Sequence, residues 1–363
     1  MRPEDKRFMA LAISLGRRGL GQCWPNPSVG CVTVQGGRIV GRGRTALGGA
    51  PHAETEALKQ AGDLAKGATA YVTLEPCAHH GRTPPCANAL VAAGVARVVV
   101  GSGDPDPKVN GKGIAILQAA GIEVTTGVLQ DKADALHAGF FSRITKGRPW
   151  LTLKLASSFD GRIATATGES QWITGPEARR MVHAMRAQND AVLVGGGTAR
   201  ADDPSLSVRG MGDVPQPVRI VASRNLDLPL SGKLAATAND IPVWLCHGPE
   251  ASPDLRSVWQ GLGANLLECD TKAGQLDPSS ILQALGQSGL TRVFCEGGGA
   301  FAAALLQADL VDEVIGFTAG MAIGAEGLPS LGNMGLTRLT AAPRFHLIET
   351  RAVGKDILHR WQR

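Results

Sequence analysis

Short runs of Val, Ile and Leu alternate with helix-like stretches along the chain, and this alternation limits the fold more than any other feature. Val29–Val34 reads as a buried strand, the Gly36-Gly37 pair as a hairpin turn, and Arg38–Val40 as the returning strand. Further strands are expected at Ala68–Leu74, Arg97–Val100 and Ile122–Thr126. Helical spacing links Phe8, Leu11, Ala12 and Leu15, behind Pro3, Glu4 and Asp5, which suit a first turn. Helices are also expected over His52–Ala61, Pro85–Ala93, Gly113–Ala120 and Asp131–Ile144. Strands interleaved with helices pack as a sheet covered by helical layers, so the class is α/β.

The pattern restarts after the Gly/Pro/basic stretch Lys146-Gly-Arg-Pro149. Strands follow at Trp150–Ala156, Ala191–Val194, Val218–Ala222, Val243–Cys246, Thr291–Cys295 and Glu313–Phe317, and a helix runs from Thr174-Gly-Pro-Glu177 through Arg186. For 363 residues, two domains are the natural division, and we place them at 1–146 and 147–363. Hydrophobic residues at 44% and charged residues at 19% allow each domain a core and exclude a disordered chain. The net charge of +5 suits anionic small molecules without arguing for nucleic acid. Seven scattered cysteines do not form a disulfide framework. Glu4 and Asp5 fall where a signal peptide would carry positive charge, and the longest apolar runs are too short for a bilayer span, so a cytoplasmic location without membrane partners is expected.

The strongest chemical signal is Pro51-His52-Ala53-Glu54 together with Glu75-Pro76-Cys77 and Cys86. One imidazole and two thiolates make a three-ligand zinc set with a fourth position for water, which is the composition of catalytic zinc. Glu54 is not needed as a ligand and suits a proton carrier beside the metal. The arrangement H-x-E…P-C…C is that of zinc nucleobase deaminases. We therefore expect one zinc per chain on His52, Cys77 and Cys86, with Glu54 catalytic. His79 and His80 are competing ligands by type; their place between the two cysteines leaves substrate contact or plain loop structure as readings.

Eight residues separate the cysteines. The segment Thr73-Leu-Glu-Pro-Cys-Ala-His-His-Gly-Arg-Thr-Pro-Pro-Cys86 closely resembles the deaminase domain of bifunctional riboflavin biosynthesis enzymes, as do Pro25-Asn-Pro-Ser-Val-Gly30 and Gly103-Asp-Pro105. The resemblance implies a cytidine-deaminase-like α/β/α first domain and a phosphoribosyl pyrimidine substrate, contacted by Asn26, His79, Arg82 and Asp104. Arg82 suits a phosphate, which guanidinium binds through paired hydrogen bonds.

The second half continues the resemblance through Leu153-Lys-Leu-Ala-Ser-Ser-Phe-Asp-Gly-Arg162, Ser170-Gln-Trp-Ile-Thr174, Asp202-Asp-Pro-Ser-Leu-Ser-Val-Arg209 and Glu296-Gly-Gly-Gly299. These segments are similar to the reductase domain of the same enzymes, which implies a dihydrofolate-reductase-like α/β fold using NADPH. Gly-rich turns between strand and helix bring backbone N–H groups close to a diphosphate. Gly297–Ala302 also fits a loose G-x-G-x-x-A string, which is weak evidence for a Rossmann domain. By residue matching, the cofactor meets Ala156, Trp172, Thr198, Asp202, and Gly298, Gly299, Ala300, Phe301, Ala302, Ala303 and Ala304. The substrate meets Ser170, Arg186, Leu206, Arg209 and Glu296, while Lys154 and Asp202 are catalytic. Ser223 and Arg224, after the strand Val218–Ala222, supply a hydroxyl and a cation for the 2′-phosphate that distinguishes NADPH from NADH.

The implied reaction pair is hydrolytic deamination of 2,5-diamino-6-(5-phosphoribosylamino)pyrimidin-4(3H)-one, then reduction of its ribosyl group to ribityl. A homo-oligomer is expected. The alternative is a nucleic-acid base deaminase with an accessory binding domain, but stacking aromatics are few, with one Tyr and eight Phe. A structural zinc scaffold would call for a fourth protein ligand and leave Glu54 without a role.

Overall fold

The computed structural model describes residues 2–78 and 84–363. The chain divides into two units, Met1–Gly147 and Arg148–Arg363.

The first unit is built on five strands, β1 (Gly30–Gln35), β2 (Arg38–Arg44), β3 (Thr69–Leu74), β4 (Arg97–Ser102) and β5 (Glu123–Thr125), in the order β2-β1-β3-β4-β5. β1 runs antiparallel to both neighbours, and β3, β4 and β5 are parallel. Side chains alternate across a strand, and the two faces separate accordingly. Ala70, Val72, Val98 and Val100 pack with α2 (Ala53–Ala61), α3 (Cys86–Ala92) and α4 (Lys112–Ala119). Tyr71 and Val99 pack on the other face with Phe8, Met9, Ala12 and Ile13 of α1 (Asp5–Arg17) and Ala133 and Leu136 of α5 (Gln130–Lys146). The result is three layers, α/β/α.

β2 extends four residues beyond the Arg38–Val40 reading, because Gly41 and Gly43 are contact points and not breaks. A Cβ on either would lie 2.1 or 2.0 Å from the carbonyl oxygens of Ala57 and Ala53. Their bareness lets α2 lie directly on the strand, and this fixes the N-terminal end of α2.

The second unit is a nine-stranded sheet of order β11-β10-β9-β8-β14-β6-β15-β18-β17. In chain order its strands are β6 (Trp150–Ser158), β8 (Ala191–Gly195), β9 (Val218–Ala222), β10 (Val243–His247), β11 (Asn265–Glu268), β14 (Arg292–Cys295), β15 (Glu313–Ala319), β17 (His346–Val353) and β18 (Asp356–Gln362). All pairings from β11 to β15 are parallel, and β18 and β17 close one edge antiparallel. Two small ladders stand apart, β7 (Arg162–Ala164) with β16 (Leu328–Pro329), and β12 (Thr271–Lys272) with β13 (Gln275–Leu276). The helices are α6 (Pro176–Arg186), α7 (Gly196–Asp202), α8 (Lys233–Ala236), α9 (Pro253–Gly261), α10 (Pro278–Gln287) and α11 (Gly299–Gln307). One core gathers β8, β9 and β10 with α7, α8 and α9; another joins β14, β15 and β18 to α6.

The last two strands and the helices α9 and α10 lie outside the sequence reading. β17 is exposed at nearly every position, so it lacks apolar alternation. The helices did carry a signal: each has Pro at its first position behind Ser252 or Asp277.

Among the described residues, no helix is long and apolar enough to cross a membrane.

Candidate active sites

In the first unit, three elements bring three donors together. His52 occupies the position before α2, Cys77 follows β3, and Cys86 opens α3. Their ligand atoms all lie within 4.8 Å of one another. His52 Nδ1 is 3.2 Å from Cys86 Sγ and 3.6 Å from Cys77 Sγ. Tetrahedral zinc, with bonds of roughly 2.0 Å to nitrogen and 2.3 Å to sulfur, separates such donors by about 3.5 Å. The spacing and the donor types fit the ion.

The electrostatics of the protein alone favour one thiolate. The hydrogen bond from Cys86 holds the Cys77 thiol well below its ordinary value, against the opposing effect of burial. The Cys86 backbone N–H also donates to Cys77 Sγ at 3.3 Å. That same shared bond, together with burial, pushes the Cys86 thiol far up. Glu54, in the first turn of α2, is 3% exposed. Burial first, and the charge on Cys77 second, raise its carboxyl to about 7.

Asn26 is held by its Nδ2 donating to the Gly49 carbonyl at 3.3 Å. Asp104 is buried after β4, accepts from Asp106 N–H at 2.8 Å, and is raised to about 6, first by burial. His79, His80 and Arg82 lie outside the described residues.

In the second unit, β14 enters between β6 and β8, so the connections leave the sheet in opposite directions there. Ligands of open α/β sheets bind outside the strand C-termini at such a switch. A cleft of about 790 Å³ opens at these strand ends. Its wall includes Lys154 and Ala156 from β6, Ser170, Gly195–Thr198 and Asp202 around α7, and Glu296–Phe301 with Ala304 around α11. Arg224 lines it too, and its Nη1 donates to the carbonyl of Gly274.

Lys154 Nζ stands 4.0 Å from Glu296 Oε2. Burial lowers the lysine, and Glu296 partly restores it. Burial acts to raise Glu296, but Arg186 and Lys154 hold it below its ordinary value. Arg186 grips that carboxylate with Nε at 2.5 Å and Nη2 at 3.1 Å, and gives Nη1 to the Ser207 carbonyl at 2.8 Å.

Several expected residues stand outside the cleft wall. Ser223 is 3% exposed and its hydroxyl donates to Asp227 at 2.8 Å. Trp172 is 63% exposed beneath the Arg179 guanidinium, 4.5 Å from the ring centre. Ala302 and Ala303 face the core, Leu206 is buried, and Arg209 is exposed with its N–H donating to His183. Arg186 faces Glu296 and not the opening. The Gly298 N–H is taken by Thr198 Oγ1 at 2.9 Å, which leaves the first N–H groups of α11 as the free donors of that turn. The sequence reading missed Ile163, Ala164, Gln275, Leu276, Pro278, Leu328 and Ser330 on the cleft wall. They arrive on the two short ladders and the start of α10, where runs of two or three residues give no periodicity to read.

Comparison with known proteins bears on both units. Residues 2–102 match the cytidine and deoxycytidylate deaminase zinc-binding region, and residues 149–359 match the RibD C-terminal domain. The riboflavin biosynthesis protein RibD of Escherichia coli K12 is 43% identical over 364 residues, covering 98% of each chain. The chain belongs to the RibD family.

RibD of Aquifex aeolicus is 40% identical over 358 residues, covering 99% of this chain and 98% of its own. The solved RibD of Acinetobacter baumannii superposes with a TM-score of 0.87 at 40% identity, over 99% of this chain and 98% of that one. A Thermotoga maritima structure, described as a diaminohydroxyphosphoribosylaminopyrimidine deaminase/5-amino-6-(5-phosphoribosylamino)uracil reductase, gives 0.86 at 34% over the same shares. The chain is therefore a bifunctional deaminase and reductase of riboflavin biosynthesis, with a zinc-binding deaminase domain and a reductase domain of dihydrofolate-reductase-like fold.

Proposed function

We propose that residues 1–146 deaminate 2,5-diamino-6-(5-phosphoribosylamino)pyrimidin-4(3H)-one with one zinc per chain, and that residues 147–363 then reduce the ribosyl group with NADPH. The observation that carries the first half is the convergence of His52, Cys77 and Cys86 beside a buried carboxylate. Zinc bound there would supply a Lewis acid that makes water a nucleophile near neutral pH.

The protein's own part is proton movement. Glu54, buried beside the three donors, takes the proton of the attacking water on its carboxylate and returns it to the departing amine. The ring C–NH2 bond breaks, a C=O forms and ammonia leaves. Asn26 and Asp104 are assigned as substrate contacts, and His79 and Arg82 belong to the same reading.

For the reductase, NADPH would supply hydride to the opened sugar at C1′. The strand ends of β6, β8 and β14 support a cofactor lying along the cleft, with its diphosphate at the α7 and α11 turns near Thr198, Gly299 and Ala300. Arg224 is the cleft's candidate for the 2′-phosphate. Lys154 binds the substrate oxygen that gains charge, and Asp202 at the end of α7 moves a proton. Arg186 holds Glu296 in place, so Glu296 is the better candidate for direct contact.

The test is to give purified protein the diaminopyrimidinone ribotide and NADPH, and to follow ammonia and NADPH separately. Ammonia without prior NADPH consumption, then oxidation of one NADPH per substrate, is expected. Turnover of nucleic acid or free cytidine in its place would overturn the substrate assignment.

A further inference from the structure

We propose that Glu75 is a positioning residue of the deaminase site, whose buried carboxylate fastens the 103–111 loop, and with it Asp104, to the segment that ends in Cys77. The inference rests on the reading of Asp104 as a substrate contact.

Glu75 follows β3 directly and is 4% exposed. A carboxylate taken from water is costly unless its oxygens are satisfied. Here three backbone N–H groups satisfy them. Gly111 donates to Oε2 at 3.0 Å, while Gly113 and Ile114 donate to Oε1 at 3.0 and 3.3 Å. These donors are the last residue of the loop and the first turn of α4, where N–H groups have no partner within the helix. Glu75 thus caps α4 from a different element. The loop's other end is tied to the same residue, since the Glu75 N–H donates to the Ser102 carbonyl at 2.9 Å.

A second contact presses the same parts together. A Cβ at Gly113 would stand 1.9 Å from the Pro76 carbonyl oxygen, so α4 rests directly on the peptide between Glu75 and Cys77. Within the loop, Asp104 accepts from Asp106 N–H at 2.8 Å, Asp106 accepts from Lys108 N–H at 2.9 Å, and Lys112 Nζ reaches the Pro107 carbonyl at 2.9 Å. This run of short turns leaves Asp104, 7% exposed, little freedom once the ends are pinned. Glutamine cannot replace the anchor fully, because its amide oxygen can accept on one side only and its amide nitrogen, a donor, would face backbone donors on the other. Glu75 touches no reacting atom; it acts through Asp104.

The test compares Glu75→Gln, Glu75→Asp, Asp104→Asn and the double variant Glu75→Gln/Asp104→Asn in the full zinc-loaded chain. Ammonia release, zinc content and NADPH-dependent reduction of deaminated substrate are measured for each. Glu75→Gln should keep its zinc and its reduction rate, and raise the deamination KM about tenfold with kcat within about threefold. Glu75→Asp, which keeps the charge but is one methylene short, should fall between wild type and Glu75→Gln. On the Asp104→Asn background, Glu75→Gln should add little, as expected for two residues that act as one unit. Loss of zinc, a fall in kcat with KM unchanged, or full additivity would overturn the inference. An Asp104→Asn defect without a Glu75→Gln defect refutes the inference alone. A wild-type KM in Asp104→Asn refutes the substrate role of Asp104 and the inference with it.

Discussion

Breaking the Asp5–Arg97 pair should loosen the framework behind the metal-binding side chains by a predictable amount. Arg97 in β4 gives Nη1 to Asp5 Oδ1 at 2.7 Å and Nη2 to Oδ2 at 3.0 Å, tying α1 to the sheet. The side chains are 3% and 0% exposed. The hydrogen bonds from Arg97 outweigh burial and hold the Asp5 carboxyl at about 2, against an ordinary 3.8. At about 1.36 kcal/mol per pH unit, that depression is worth roughly 2 kcal/mol of stability. A depressed carboxyl stabilises the fold fully above its unfolded value, so the contribution is complete above about pH 4 and fades as the pH falls towards 2.

The two single substitutions should differ. Arg97→Met leaves a buried carboxylate with only the Arg2 N–H and the Tyr71 hydroxyl as donors, and should cost about 3–5 kcal/mol. Asp5→Asn leaves Arg97 its bonds to Glu123 and Thr125, both at 2.8 Å, and should cost nearer 2 kcal/mol, the free-energy equivalent of the lost depression at about 1.36 kcal/mol per pH unit. Replacing both, as Asp5→Leu/Arg97→Met, should recover much of the loss. Urea unfolding near neutral pH is followed by zinc release to a chromophoric chelator, since five of the six tryptophans lie in the second unit and fluorescence would report mainly there. Circular dichroism carries the comparison to low pH. An Arg97→Met cost below about 1 kcal/mol, far under that of a broken buried pair, would refute the reasoning. So would an Asp5→Asn deficit that is undiminished as the pH approaches 2.

Three further outcomes are expected. Glu54→Gln should retain zinc and lose about 10²–10⁴-fold in deamination rate, and a normal rate would remove Glu54 from the proton path. Arg224→Ala should raise the KM for NADPH by roughly 10- to 100-fold and leave that for NADH unchanged, with the gap narrowing at high salt; equal losses for both would mean Arg224 serves the fold or the shared diphosphate. After chelation, Cys77 should alkylate faster than Cys86, and its rate should hold to lower pH than that of an ordinary thiol, because the shared hydrogen bond favours the Cys77 thiolate; equal labelling of the two by peptide mass analysis would contradict this.

The sequence was most legible where the chemistry is dense. His52, Glu54, Cys77 and Cys86 could be named because a catalytic zinc demands those residue types, and the core strands could be named because burial on both faces makes continuous apolar runs. The reductase cleft was harder to read. Lys154, Thr198, Glu296 and the Gly298–Phe301 turn line it, while Ser223, Trp172 and Arg209 do not. What decides between these groups is the direction of each side chain at a strand or helix end, and no periodicity records that. Gly41 and Gly43 lie beyond the Arg38–Val40 reading of β2 for the same kind of reason: the helix that needs their bareness is a tertiary neighbour. Glu75 was visible inside the Cys77 motif, but its partners are backbone amides 36 to 39 residues away, and backbone donors carry no residue signature.

The central claim is that two chemistries occupy two units of one chain, and Cys86→Ser tests it most directly. Ammonia release from the diaminopyrimidinone ribotide and NADPH oxidation with pre-deaminated substrate are measured on the same folded preparation. The account predicts that ammonia release is abolished with zinc binding impaired, while NADPH oxidation continues at the wild-type rate. Loss of both activities in a protein that remains folded would mean a shared site and contradict the account.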